Sequence, residues 1–262
     1  MGTQDKSGYQ AYVICTSPRS GSTLLCKLLA ATGQAGDPKS YFHKASLDAW
    51  QAHFGLEGEV FPGERERLSV LFETARQKGS AGTGIFGLRL QRGSFDFFSA
   101  KLNSLHPELT SLSARIEAVF GKPLFIHLTR DDKVAQAVSF VKASQTGLWH
   151  QAPDGTEIER LAPPQEPAYD HARIRQHVEE MMAYDQAWID WFEDEGLTPR
   201  RITYDELARQ PVAAVETILR ELGQDPKAAA GIELPVARLS DKTNREWIER
   251  FRAEETGSSS GS

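Results

Sequence analysis

An arginine set in a turn of small residues, Thr16-Ser17-Pro18-Arg19-Ser20-Gly21-Ser22-Thr23, is the part of the chain best equipped for chemistry. The apolar run Tyr12-Val13-Ile14-Cys15 precedes it. A helical pattern follows, with Leu24, Leu25, Leu28 and Leu29 on one side and Gly33 at its end. This order predicts strand, tight turn and helix N-terminus. Small residues let the backbone curl so that several N–H groups face one concavity, where the helix dipole adds partial positive charge. Such a loop holds a phosphate. A Walker A loop needs two glycines and a lysine at fixed spacing. Here the loop has a single glycine, Gly21, and its cation, Arg19, comes first. A kinase also needs side chains for Mg²⁺, and in Leu128-Thr129-Arg130-Asp131-Asp132 the carboxylates lie between Arg130 and Lys133. Sulfuryl transfer fits this loop better than ATP chemistry, because SO₃ carries less charge than PO₃ and is stabilised without a metal. The plainer alternative is a strand-to-helix turn that binds nothing.

Three further stretches accompany the loop. Leu124-Phe125-Ile126-His127-Leu128-Thr129-Arg130 reads as a buried strand ending in an arginine, with Ser139 on the segment that follows. Gln136-Ala137-Val138-Ser139-Phe140 runs on to Gln145-Thr146-Gly147-Leu148-Trp149. Near the end stand Leu222-Gly223-Gln224-Asp225-Pro226 and Arg238-Leu239-Ser240-Asp241-Lys242-Thr243-Asn244-Arg245-Glu246-Trp247. Together these resemble the bacterial carbohydrate sulfotransferases of the trehalose sulfotransferase type, a family that includes lipopolysaccharide sulfotransferases. The resemblance spans roughly residues 9 to 252.

It implies sulfuryl transfer from 3′-phosphoadenosine-5′-phosphosulfate (PAPS) to a hydroxyl of a carbohydrate or glycolipid, with no metal required. It also implies a parallel α/β sheet flanked by helices, the P-loop-nucleotide-kinase-like sulfotransferase fold. Ser17, Arg19, Ser20, Gly21, Ser22 and Thr23 would hold the 5′-phosphosulfate, with Arg19 stabilising charge on the transferring group. Arg130 and Ser139 would hold the 3′-phosphate. An arginine fork grips a phosphate bidentately, and a nearby hydroxyl donates to the same group. The alternative for Arg130 is a surface ion pair with Asp131 or Asp132. Arg238 and Lys242 would close a C-terminal basic loop over the 3′-phosphate, or else form a solvated turn. Arg89, at the end of Phe86-Gly87-Leu88-Arg89-Leu90, is a second catalytic cation where the family often has a lysine; its alternative is a surface arginine.

The base is where the chain departs from the family. After the first helix the family reads G-E-P-x-E-[FY]-F, with the second glutamate as base. This chain reads Gly36-Asp37-Pro38-Lys39-Ser40-Tyr41-Phe42-His43, so a serine stands where the glutamate would be. His43, with an imidazole that titrates near neutrality, is the leading candidate. Asp37 precedes Pro38 and suits a turn; a carboxylate from elsewhere is the third option. His127 reads as an oriented core histidine. Asp185 shares the apolar stripe of Ile174, Val178, Met181, Trp188 and Phe192, and reads as a carboxylate paired to an arginine near a helix flank or as a buried acid beside the site.

The elements that must position these residues follow from pattern. Strands are expected at 11–15, 85–90, 124–128 and 200–204, with helical stretches between them, as in a parallel sheet with crossover helices. The phosphate loop and Arg130 then share the C-terminal sheet edge, where open α/β sheets bind ligands. Residues 54–64 and 78–84 read as irregular, flanking a short helix around Leu68 to Ala75. Residues 151–170, rich in proline, read as a loop able to act as an acceptor lid. A strong helix is expected over 172–194.

With 262 residues and 40% hydrophobic content, the chain can bury one sizeable core. A single domain over 1–254 is expected, with 255–262 resembling an expression linker. No apolar run reaches the ~20 residues that cross a membrane, and the N-terminus lacks a secretory layout. Cys15 and Cys26, the only cysteines, read as inert core thiols, consistent with the cytoplasm. A net charge of −6 argues against nucleic acid as a partner. The resemblance is compatible with a homodimer, though no apolar stripe demands one. Two other functions stay open at this point: a P-loop kinase, and a non-catalytic protein that binds 3′-phosphoadenosine-5′-phosphate (PAP).

Overall fold

The computed structural model describes residues 8–152, 154–233 and 241–259. The elements run β1 (Ala11–Thr16), α1 (Ser22–Ala31), α2 (Leu47–Phe54), α3 (Glu64–Ser80), β2 (Phe86–Gln91), α4 (Arg92–Leu105), α5 (Leu112–Phe120), β3 (Pro123–Thr129) and α6 (Lys133–Thr146). A hairpin of β4 (Leu148–Gln151) and β5 (Glu157–Arg160) follows, then α7 (His171–Asp194), β6 (Arg200–Thr203), α8 (Tyr204–Arg209), α9 (Pro211–Glu221), a 3-10 turn (Pro226–Ala229) and α10 (Lys242–Ser259).

The central sheet has four strands in the order β2-β1-β3-β6, and every pairing is parallel. β1 has a neighbour on each side and helices on both faces, so all six of its residues are buried, as expected of a central parallel strand. Its side chains alternate between two apolar layers. Val13 and Cys15 join Leu88, Leu90, Phe98 and Trp188 on one face. Tyr12 and Ile14 join Leu25, Leu28, Ile126, Leu128 and Ile218 on the other. A third cluster, Val138, Val141, Ile174, Trp247 and Phe251, joins α6, α7 and α10. The α/β class with a parallel sheet is therefore as expected, and all four expected strands are present.

Local structure departs from expectation in three places. The segment around Leu68 to Ala75 belongs to a helix of 17 residues that covers 78–80, and Phe54 ends the unexpected α2. Leu68, Leu71, Phe72 and Ala75 keep helical spacing and face the core, so charged neighbours and Gly79 hid the helix without breaking it. Residues 151–170 are not wholly irregular, because the β4–β5 hairpin occupies their first part. Its strands are four residues each, with register shifts between them, too short and uneven to show a period. Finally, α10 runs past residue 254 to Ser259, and Glu255 accepts from Arg175 and pairs with His171, so the suspected linker begins inside a helix.

Cys15 and Cys26 are both free and buried, and burial raises both thiols above their usual range. No helix among the described residues is long and apolar enough to cross a membrane.

Candidate active site

The turn after β1 is bent by two residues with positive φ, Arg19 at 61° and Gly21 at 88°. A Cβ on Gly21 would lie 2.8 Å from the Tyr204 ring, so both conformation and space require glycine. No side chain caps α1, which leaves its first N–H groups for a ligand. Buried side chains brace the turn from behind. Thr16 Oγ1 donates to the Leu128 carbonyl at 2.7 Å and lies 2.6 Å from Ser20 Oγ. Gln136 Nε2 donates to Ser17 Oγ at 3.0 Å and to the Pro18 carbonyl at 2.6 Å. Trp188 Nε1 donates to the Thr16 carbonyl at 3.0 Å. Ser17 and Ser20 are thus fully buried struts of the loop rather than part of its open face.

A cavity of about 810 Å³ opens in front of the turn. Arg19, Gly21, Ser22, Thr23, Arg89, Arg130, Ser139 and His43 all line it, as the sequence suggested. Arg19 Nε donates to Ser139 Oγ at 3.0 Å, and its Nη1 donates to the Trp149 carbonyl at 2.7 Å. Burial, followed by the neighbouring Arg130 charge, lowers the Arg19 guanidinium to about 10, so it still carries its proton at neutral pH. The Arg130 guanidinium lies 4.3 Å from the centre of the Tyr204 ring. Arg201 pairs with Asp131, and Arg252 pairs with Asp132.

Arg89 forms the opposite wall. Its Nε donates to Ser40 Oγ at 2.7 Å and its Nη1 to Thr23 Oγ1 at 2.9 Å. Ser40 comes to Arg89 because Lys39 bridges in parallel to Leu88, with Arg89 N donating to the Lys39 carbonyl at 3.1 Å. Asp37 fits the turn role: its backbone N–H donates to Gly79, and Lys39 holds its carboxylate. His43 is exposed at the cavity rim, with Nδ1 3.1 Å from the Ser40 carbonyl and its ring 5.9 Å from that of His53.

Other assignments fall elsewhere. Arg238 lies outside the described residues. Lys242 does not line the cavity; its ammonium is highly exposed and pairs with Glu246 at 3.4 Å. From that helix it is Asn244 and Ile248 that reach the wall. Asp185 is not in the cavity. It is paired to a lysine, Lys133, rather than to an arginine, and it also accepts from Thr129. The knot sits beneath the Arg130 turn, since Lys133 Nζ also donates to the Arg130 carbonyl at 2.5 Å. His127 is a core residue, as expected, with its imidazole lowered by burial.

Several lining residues gave no signal in the sequence. The hairpin brings Trp149, His150 and Glu159 over the cavity. His150 Nε2 lies 3.0 Å from Thr23 Oγ1 and 3.4 Å from Glu159 Oε2. Burial, then the charges of Arg19 and Arg89, lower the His150 imidazole to about 4, so it is neutral at pH 7. Tyr204, Ala208 and Pro211 supply an apolar wall beside Arg130. Gln91 also lines the cavity, and its Oε1 is buried without a protein partner. It follows Arg89 by two positions on β2, so the two side chains leave the same face of the strand.

The arrangement combines an anion-binding helix start, three arginines and an apolar shelf in one cavity. It suits a ligand with two separated anionic groups and a flat apolar part. The family model described as Stf0 sulphotransferase matches residues 11–254. A curated trehalose 2-sulfotransferase from Mycobacterium tuberculosis (strain ATCC 35801 / TMC 107 / Erdman) is 30% identical, covering 93% of this chain and 94% of that protein. Another, from Mycolicibacterium smegmatis, is 32% identical over 92% of this chain and 94% of its own length. The solved sulfotransferase domain of the Synechococcus PCC 7002 olefin synthase, at 16% identity, covers 92% of this chain and 86% of that one with a TM-score of 0.44, too low to bear on the assignment.

Proposed function

The chain belongs to the Stf0 sulphotransferase family, and on that premise we propose that it transfers a sulfuryl group from PAPS to a hydroxyl of a carbohydrate or glycolipid. The observation that carries this reading is the gathering of three arginines around one cavity. Arg19 donates to Ser139, Arg89 donates to Thr23, and Arg130 stands against Tyr204, with the start of α1 in the same wall.

On this reading, the open N–H groups of the turn bind the 5′-phosphosulfate, and Arg130 with Ser139 bind the 3′-phosphate. That second phosphate separates PAPS from ATP, and a guanidinium held 4.3 Å from the centre of the Tyr204 ring is well placed to grip it. The wall of Tyr204, Ala208 and Pro211 suits the adenine. Arg19, together with Arg89 and Thr23, stabilises charge that grows on the transferring group and on the leaving phosphate oxygen. The acceptor enters beside Ser40 and Gln91, whose buried Oε1 is free to take a hydrogen bond from it. Its oxygen attacks sulfur in line with the leaving phosphate oxygen. The S–O bond to the acceptor forms as the S–O bond to the phosphate breaks, and PAP leaves with the electron pair. The names of the curated relatives favour a sugar as acceptor.

Calorimetry with PAP and ADP tests the donor. PAP is expected to bind at least tenfold more tightly. Equal affinities would remove the 3′-phosphate assignment and with it the sulfuryl donor. Mass spectrometry of sugars incubated with PAPS and the protein then tests transfer, with an 80-dalton gain per sulfuryl group; PAP binding without such a product would leave only a nucleotide-binding protein.

A further inference from the structure

With Ser40 in place of the family's glutamate, the reaction proposed above lacks an evident group to take the acceptor's proton. Among the described residues lining the cavity, one is a carboxylate: Glu159, on the second strand of the hairpin. Its position follows from the hairpin's geometry. Glu159 pairs in register with His150, and a register shift flanks that pair on each side. Such irregularities re-aim side chains, and here both residues reach the cavity.

The contacts form a continuous line from the hairpin to the phosphate loop. Glu159 Oε2 is 3.4 Å from His150 Nε2, which is 3.0 Å from Thr23 Oγ1, which in turn accepts from Arg89 Nη1 at 2.9 Å. Thr23 and Arg89 are the groups assigned above to the transferring sulfuryl. The carboxylate therefore stands about two hydrogen-bond lengths from the reacting end of the cavity. Its exposure also suits a proton acceptor. The Glu159 side chain is 45% exposed, whereas His150 is 23% exposed, so a proton taken up at Glu159 has a path to solvent.

We propose that Glu159 is the catalytic base, supplied by the β4–β5 hairpin in place of the glutamate that follows the family's first helix, and that His150 is the residue that positions it. This rests on the sulfuryl-transfer reading. As the acceptor oxygen bonds to sulfur and PAP departs with its electron pair, the hydroxyl proton passes to a Glu159 oxygen and then to water. Sulfate ester, PAP and one proton are the products. His150, neutral and tied to Thr23, fixes the distance between the hairpin and the loop. His43 is the rival: it lines the same cavity, but its hydrogen bond is to the Ser40 carbonyl rather than toward Thr23.

The test uses the whole chain with PAPS as donor, trehalose as acceptor and water as a second acceptor, read as PAPS hydrolysis. Glu159→Gln keeps the shape and removes the base. It is expected to lower kcat in both reactions by about 10²-fold or more, with PAP affinity from calorimetry within twofold of wild type. Glu159→Ala should regain at least about tenfold of its activity with added formate, a small carboxylate that fits the space left by the side chain; a purely structural residue would show no such rescue. Glu159→Asp should fall between wild type and Glu159→Gln. The proposal is overturned if Glu159→Gln keeps kcat within threefold while His43→Gln loses it. Loss of PAP binding together with kcat, without rescue by formate, overturns it too, because Glu159 would then only hold the hairpin in place. A wild-type protein inactive with trehalose, with water and with a panel of other sugars and glycolipids would instead overturn the sulfuryl-transfer reading itself.

Discussion

On the proposed reading, Arg130 carries the choice of nucleotide. Its guanidinium lies 4.3 Å from the centre of the Tyr204 ring, with Ser139 lining the same cavity. Losing a charge-assisted bidentate contact costs about 2–4 kcal/mol, so Arg130→Ala should weaken PAP binding by roughly 30- to 1000-fold and leave ADP binding nearly unchanged. Calorimetry with the two nucleotides gives both numbers; parallel losses for PAP and ADP would mean that Arg130 supports the site as a whole. The turn, Arg89 and Arg130 were legible in the sequence, because they lie close to strand ends that apolar runs mark, and Ser139 entered through the resemblance. Other lining residues were not. His150 and Glu159 come from a hairpin with no period, and Tyr204 comes from a strand-to-helix junction whose role depends on β6 lying beside β3. Lys242 misled in the opposite direction: it lies in a basic stretch, but its side chain leaves the first turn of α10 toward solvent.

Two elements set the cavity's shape. The first is the turn into α1. Gly21→Ala would place a methyl group 2.8 Å from the Tyr204 ring and impose a positive φ on an L side chain. The expected cost is about 1–3 kcal/mol of stability, together with at least a tenfold loss of PAP affinity, since Tyr204 must move from its place under Arg130. Denaturant titration and calorimetry separate the two effects. The second element is the hairpin, tied down through His150. Its imidazole falls from 6.5 to about 4 on folding, so the unfolded chain holds the extra proton between those values. Stability from this group is complete above pH 6.5 and is lost as the pH falls toward 4. His150→Gln should flatten that part of the stability–pH curve, measured by urea unfolding across the window. An unchanged slope would show that other groups set it. The sequence offered no sign of this element, because four-residue strands joined by a tight turn resemble the loop that follows them.

On the scale of the molecule, the four strands and their parallel pairing could be read in advance, because buried parallel strands leave near-continuous apolar runs, whereas the order β2-β1-β3-β6 could not. Nor could the links between layers. Trp188 is fully buried between the sheet and α4 and also donates to the Thr16 carbonyl at the root of the turn. Trp188→Ala should cost about 3–5 kcal/mol and weaken PAP binding as well, since the turn loses a strut along with its packing. Thermal unfolding with and without PAP checks both; a destabilised protein that binds PAP normally would confine Trp188 to the core. Because β1 is central yet first in the chain, its turn depends on residues made much later. Thr16 is fixed by Leu128, 112 positions on, Ser17 by Gln136, 119 positions beyond it, and Thr16 again by Trp188, 172 positions on. Pairings this distant make folding slow. During synthesis, the nascent chain therefore emerges from the ribosome with the turn after β1 unbraced, and the turn gains its last strut only once α7 has left the exit tunnel.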